Sequence, residues 1–145
     1  MSRITGNSQF QDTNLRASQF QDAYIGSDVN LTNANLYKIN FSNAEILADL
    51  SDTDMNECIC NHTYFKDTIL DGANLSESLM NYAIFEGVSA ESTDFNDIIG
   101  TYMIFKRSIQ NTPSLRGAQF QNANLTGTRF KLEGELSDRN GSGQL

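Results

Sequence analysis

Bulky apolar residues recur at every fifth position along most of this chain. A small or hydroxyl residue stands two places before most of them. From Thr68 to Gly87 the sequence reads TILDG, ANLSE, SLMNY, AIFEG. If each bulky residue is called a knob, the series opens with Phe10, Leu15, Phe20 and Ile25. A six-residue step then leads to Leu31, Leu36, Phe41 and Ile46, and a four-residue step to Leu50. From Met55 the positions of the beat continue through Cys60, Phe65, Leu70 and on to Phe130. Neither the 3.6-residue period of a helix nor the two-residue alternation of a strand yields this pattern. A period of five does, provided each pentad makes one short side and then turns a corner.

In its A-(D/N)-L-x-x form the beat resembles the pentapeptide repeat family. Ala34-Asn35-Leu36, Ala73-Asn74-Leu75 and Ala123-Asn124-Leu125 are close matches, and Thr93-Asp94-Phe95 is a looser one. The resemblance implies an all-β fold, a right-handed quadrilateral parallel β-helix with four pentads per coil and about six coils over residues 8–131. Knobs and the small residues two before them point inward, and the other three positions of each pentad point out. Coils stacked at the strand spacing of ~4.8 Å stand roughly 30 Å tall. Residues 1–7 form a lead-in and residues 132–145 a tail. In the tail Leu132 and Leu136 are expected to fold over the last coil, with flexible chain from Asp138 onward. Gly134, Gly141 and Gly143 argue against a long terminal helix.

The phase slips predict a bulge near Ser27–Asp28 and a tightened turn near Leu47. Gly100 and Gln110 are poor knobs, and Pro113 has no N–H for a ladder. A loop is therefore expected around Ser108–Pro113, with Ile109 replacing Gln110 in the core.

The register sorts outward residues of the three middle coils by side. Side A holds knobs Leu50, Leu70 and Ala90; B holds Met55, Leu75 and Phe95. Side C holds Cys60, Met80 and Gly100; D holds Phe65, Phe85 and Phe105. Sides A and B carry Asp49, Asp52, Asp54, Glu57, Asp71, Glu77, Glu91, Asp94 and Asp97, with no Lys or Arg. Nine charges over three coils is one per ~1.6 Å of axis, close to the ~1.7 Å of duplex DNA. The same Asp residues also suit local backbone capping in turns. Sides C and D instead present Ile59, Leu79 and Ile99, then Tyr64, Ile84 and Ile104. His62, Tyr82 and Tyr102 stack at the corner between them. A contiguous apolar patch of this kind marks an interface, with Lys66, Lys106 and Arg107 as its polar rim. Stacked Ile and Tyr ladders also stabilise neighbouring strands.

Composition narrows the function. Eighteen acids against ten Lys and Arg give a net charge of −8, which disfavours direct binding to nucleic acid or an anionic membrane. No apolar run is long enough for a transmembrane helix. MSRITGNSQ lacks the apolar stretch of a signal peptide, so a cytoplasmic location is expected. Cys58 and Cys60 are the only cysteines, two ligands short of a structural zinc site and best read as buried thiols. His62 is the only histidine, which excludes a multi-His metal site, and its tyrosine neighbours in the column suit an interface residue better than a general base. No phosphate loop occurs, and no cofactor is expected. The chain reads as a non-enzymatic protein-interaction module. The resemblance implies partners such as DNA gyrase or topoisomerase IV, met by family members that protect against quinolones, although this chain lacks their long projecting loops and clear terminal helix. The alternative is a structural or adaptor solenoid that docks a protein partner, or a second copy in a homodimer, through the apolar side.

Overall fold

The computed structural model describes residues 1–131. It is an all-β, right-handed quadrilateral solenoid. Seven short strands form one parallel sheet in sequence order: β1 (Arg3–Ile4), β2 (Tyr24–Ile25), β3 (Glu45–Ile46), β4 (Tyr64–Lys66), β5 (Ile84–Glu86), β6 (Ile104–Lys106) and β7 (Arg129–Lys131). That sheet is side D. The other three sides pair through single bridges, such as Asp49↔Ile69 on A, Asp54↔Asn74 on B and Ile59↔Leu79 on C. Backbone groups are satisfied between coils, as in Leu70 N–H to the Ser89 carbonyl at 2.7 Å. A sequence with so few apolar residues in a row can therefore hold a continuous core, because each coil completes its neighbour.

The corners explain why the beat is five. The residue two after a knob turns the chain through the left-handed region, as at Asn43 (φ 60), Asp52 (φ 55) and Gly72 (φ 70). Asn, Asp and Gly bear that conformation at least cost. Three of the corners keep constant length throughout; only the D-to-A corner varies. Pairing offsets along the chain are 21 residues from Tyr24 to Glu45, 19 from Glu45 to Tyr64 and 20 from Tyr64 to Ile84. The last coil, from Ile104 to Arg129, takes 25. Both slips and the loop thus fall at one edge of the prism. Near Ser27–Asp28 the extra residue lets the Asp28 carboxylate accept the N–H groups of Gly6 (2.6 Å) and Asn7 (3.1 Å). The bonds from Asn7 and Gly6 hold its pKa below the ordinary carboxylate range.

The 25-residue coil carries one whole extra pentad between Phe105 and Leu115. Ser89 bridges Ser114, so Leu115 stands on side A above Ala90 and the excess projects as a loop. The loop was expected; its packing was not. Ile109 does not replace Gln110 in the core but is 104 % exposed. Pro113 is instead the buried residue, filling the small inward position two before Leu115. The solenoid also begins earlier than the beat indicated, since Arg3–Ile4 already pairs with Tyr24–Ile25. The expectations for Leu132, Leu136 and the chain from Asp138 lie outside the described residues.

Inside, knobs stack by column. Phe65, Phe85, Phe105 and Phe130 form a ladder on side D with centroids 4.5 to 5.0 Å apart. Phe95 and Phe120 stack on side B at 4.8 Å and meet the D ladder edge-on. Small residues on A and C make this possible. The knobs facing those rings at that level are Ala90 and Gly100, and Met103 brings its sulfur into the space that Gly100 leaves open. Buried hydroxyls at the small inward position donate to carbonyls, as Thr63 does to Phe41 (2.8 Å) and Thr93 to Leu70 (2.7 Å). Among the described residues no buried side-chain polar atom lacks a partner.

Candidate functional site

The structure keeps all nine acidic residues on sides A and B, but gives them different work. Asp49, Asp54 and Asp94 each accept the N–H two residues on, from Ser51 (2.9 Å), Asn56 (3.2 Å) and Asn96 (2.8 Å). This is the Asx-turn capping that short polar side chains perform at bends. Asp71 accepts the Ser89 hydroxyl and the Glu91 N–H, and Asp97 accepts the Asn122 amide. Such bonds orient a carboxylate without removing its charge. Asp52 and Glu77 stand exposed at left-handed corners, with no side-chain partner among the described residues.

Two of the nine are compensated from outside the middle coils. Glu57 accepts the Tyr37 hydroxyl and pairs with Lys38 at 3.1 Å; Glu91 accepts Ser114 and pairs with Arg116. The Tyr37 and Lys38 bonds hold the Glu57 pKa low, and those from Arg116 and Ser114 do the same for Glu91. The middle coils carry no cation on these sides, yet their neighbours above and below supply two. Once the 19- and 25-residue steps are placed, the sequence contains that signal, because Lys38 then lies next to Glu57 and Arg116 next to Glu91.

Sides C and D form a convex apolar ridge. Leu79 is 36 % exposed, Ile99 45 %, Tyr82 49 % and Tyr102 52 %. Ile59, Tyr64, Ile84 and Ile104 are half-buried and continuous with them. At the corner the rings of His62, Tyr82 and Tyr102 stack nearly parallel with centroids 5.0 and 5.3 Å apart. All three hold positive φ, a conformation that costs a large side chain more than Asn or Gly. The expected rim differs in one respect: Lys106 pairs with Glu86 at 2.7 Å, and Tyr64 donates its hydroxyl to the same carboxylate at 2.7 Å. Burial pushes Glu86 up, but the Lys106 and Tyr64 bonds prevail and hold it low.

Cys58 and Cys60 are free, buried and in contact inside side C. Burial, then the neighbouring Cys58 thiol, pushes Cys60 well up. Burial and the Glu86 bond likewise raise Tyr64. Both groups fold in their neutral forms, so their contribution is complete below the unfolded pKa and lost as pH rises through the folded one. Urea midpoints should be flat from about pH 6 to 8 and fall above about pH 9, where thiols and phenols of the unfolded chain ionise. A Cys60→Ala/Tyr64→Phe variant should flatten that alkaline limb.

Fold and surface together define a class: a four-sided β-solenoid repeat protein whose distinctive chemistry lies on its outward columns. The sequence pattern of the family "Pentapeptide repeats" matches residues 27–59, 58–97 and 114–131, in eight copies. The chain belongs to the pentapeptide repeat family. The unmatched stretch between 97 and 114 contains the inserted loop. No curated protein matches in sequence. Among solved structures, QnrB1, "a plasmid-mediated fluoroquinolone resistance protein", aligns with a TM-score of 0.59 at 14 % identity, over 90 % of this chain and 71 % of that one. A pentapeptide repeat protein from the Arabidopsis thaliana thylakoid lumen aligns with a TM-score of 0.45 at 13 % identity, over 95 % and 85 % of the two chains. These likenesses concern the fold.

Proposed function

We propose that this chain is a non-enzymatic interaction module whose acidic A and B sides engage the DNA-binding surface of a basic protein. The observation that carries the reading is the density of carboxylates over the middle coils, where Ile69 is exposed among them. With Glu57 and Glu91 compensated, seven remain over three coils, one per ~2 Å of axis at the strand spacing. That is still near the ~1.7 Å of duplex DNA. Turn bonds fix three of the seven and bonds from the next coil two more, so binding a cationic surface orders few side chains. The family resemblance makes a type II topoisomerase such as DNA gyrase the partner to test, acting in the cytoplasm.

Inhibition or modulation of gyrase supercoiling should appear at low salt and fade as ionic strength rises, because the contact is between exposed charges. Asp52→Asn/Glu77→Gln should weaken it, as these two carboxylates are uncommitted. Supercoiling unchanged by excess protein at low salt would end this reading.

The exposed ridge favours a second reading, an adaptor that docks a protein through sides C and D. Here Leu79→Asp would abolish capture of the partner, while Asp52→Asn/Glu77→Gln would leave it intact.

A further inference from the structure

Side D has an order that the ridge as a whole lacks. Its outward column, read along β1 to β7, is Arg3, Tyr24, Glu45, Tyr64, Ile84, Ile104 and Arg129, held in line by continuous register. From Glu45 upward, the apolar stretch Tyr64, Ile84, Ile104 is closed by an acid at one end and a base at the other. Lys106, Glu86 and the Tyr64 hydroxyl satisfy one another within the chain. Glu45 and Arg129 do not: among the described residues neither has a side-chain hydrogen bond or an ion pair. Among the described residues Arg129 lacks a local partner for a plain reason. From Ile98 to Lys131 the chain contains Lys106, Arg107, Arg116, Arg129 and Lys131 and no Asp or Glu.

Glu45 lies two coils below Ile84 and Arg129 two coils above it. At the strand spacing they are ~19 Å apart, too far to meet within one molecule. A two-fold axis through Ile84 and parallel to the strands would bring each onto the other in a second copy.

We propose that side D is a self-complementary interface, on which two copies pack sheet to sheet with their coil axes antiparallel. Ile84 meets its own copy on the axis, Tyr64 faces Ile104, and Glu45 faces Arg129 twice. This is the isologous pattern of closed dimers. In this column charge favours that orientation; in the next outward column Glu86 comes level with its own copy, its charge already met by Lys106 of the same chain. A two-fold along the coil axis sets Glu45 level with Glu45 and Arg129 level with Arg129, which like-charge repulsion opposes. The dimer deepens the second reading by naming the occupant of side D, and it leaves the acidic A and B sides outward.

The face is small. Five coils by one short strand is roughly 24 Å by 10 Å, well below the area of a stable dimer. The association is therefore weak and concentration-dependent.

Sedimentation velocity on the full chain, from about 10 to 500 μM at low salt, tests it. The wild type should shift from monomer toward dimer across that range. Glu45→Arg and Arg129→Glu should each raise the dissociation constant ~10-fold or more, about what loss of two cross-interface ion pairs gives. The double swap Glu45→Arg/Arg129→Glu should return it to within ~3-fold of wild type, a recovery that misfolding cannot mimic. Leu79→Asp on side C should leave the equilibrium unchanged, which separates this interface from a partner docked on that side. A wild type monomeric at every concentration, or a double swap as weak as its single variants, would overturn the proposal.

Discussion

Phe105→Ala should destabilise the solenoid by about 3–5 kcal/mol, the range for removing a fully buried aromatic ring. Phe105 touches four other rings: it stacks on Phe85 and Phe130 and meets Phe95 and Phe120 edge-on. Its environment cannot collapse to fill the gap. The inward residues beside it are already matched in volume to Ala90, Gly100 and Met103, and the backbone is held by ladders to coils above and below. The loss falls between the acidic middle coils and the last coil. Since a solenoid's stability is approximately a sum over neighbouring repeats, the coil from Leu115 to Phe130 should open before the rest. Urea unfolding followed by hydrogen exchange would show it: a lowered midpoint, and amides of Gln119 and Asn124 exchanging ahead of those of Leu70 and Leu75. Phe130→Ala, at a half-buried position with fewer neighbours, should cost about half as much. Equal costs would mean that the ladder does not bear on stability through ring contact.

The inside of this protein was legible in its sequence, for a reason found in residues such as Leu70 and Ala73. Each inward position repeats every fifth residue, so a run of pentads overdetermines the register, and one poor knob such as Gly100 does not disturb it. Gly100 also shows what the pattern concealed. It is small because Met103 and the facing Phe rings already fill its level, a volume relation across three sides that a one-dimensional reading cannot see. The corner irregularities were visible as phase slips. Their shared location follows too, since Ile25 and Ile46 each close a coil of four pentads; the further six-residue step at that corner, from Ile4 to Phe10, was not visible. The extra pentad also defeated the reading. Its length is a whole repeat, so Gln110 kept the beat while leaving the core, and hydrophobicity alone drew Ile109 inward. On the surface, the Ile and Tyr positions stand in columns, while the acids share sides A and B with residues such as Ile69, Asn74 and Ser89. What the reading of the acids lacked was their neighbours, Lys38 and Arg116, which sit on coils of unequal length.

The same corner yields the second large effect. Gly87, at φ +65, lies between Asp67 one coil below and Ser108 in the loop above. Asp67 passes over it to accept the Ser108 hydroxyl and the Asn111 amide (2.8 Å), a tie across more than forty residues of chain. A Cβ at position 87 would meet the Asp67 carboxylate well inside contact distance and come 2.7 Å from the Ser108 Cβ. Gly87→Ala should therefore do two things: impose an L residue on a left-handed corner, about 1–2 kcal/mol, and push apart charge-assisted bonds worth roughly 1–2 kcal/mol at a partly exposed site. The expected total is about 2–4 kcal/mol. Because Arg107 to Thr112 depends on this anchor, limited proteolysis should cut there in the variant and spare it in the wild type. Asp67→Ala should free the loop equally but cost only the hydrogen-bond part. In the double variant Gly87→Ala/Asp67→Ala the added methyl group no longer meets a carboxylate, so the two losses should fall short of additive by about 1 kcal/mol. Full additivity would show that Gly87 is required for its backbone angle alone and that the passage it leaves for Asp67 contributes nothing.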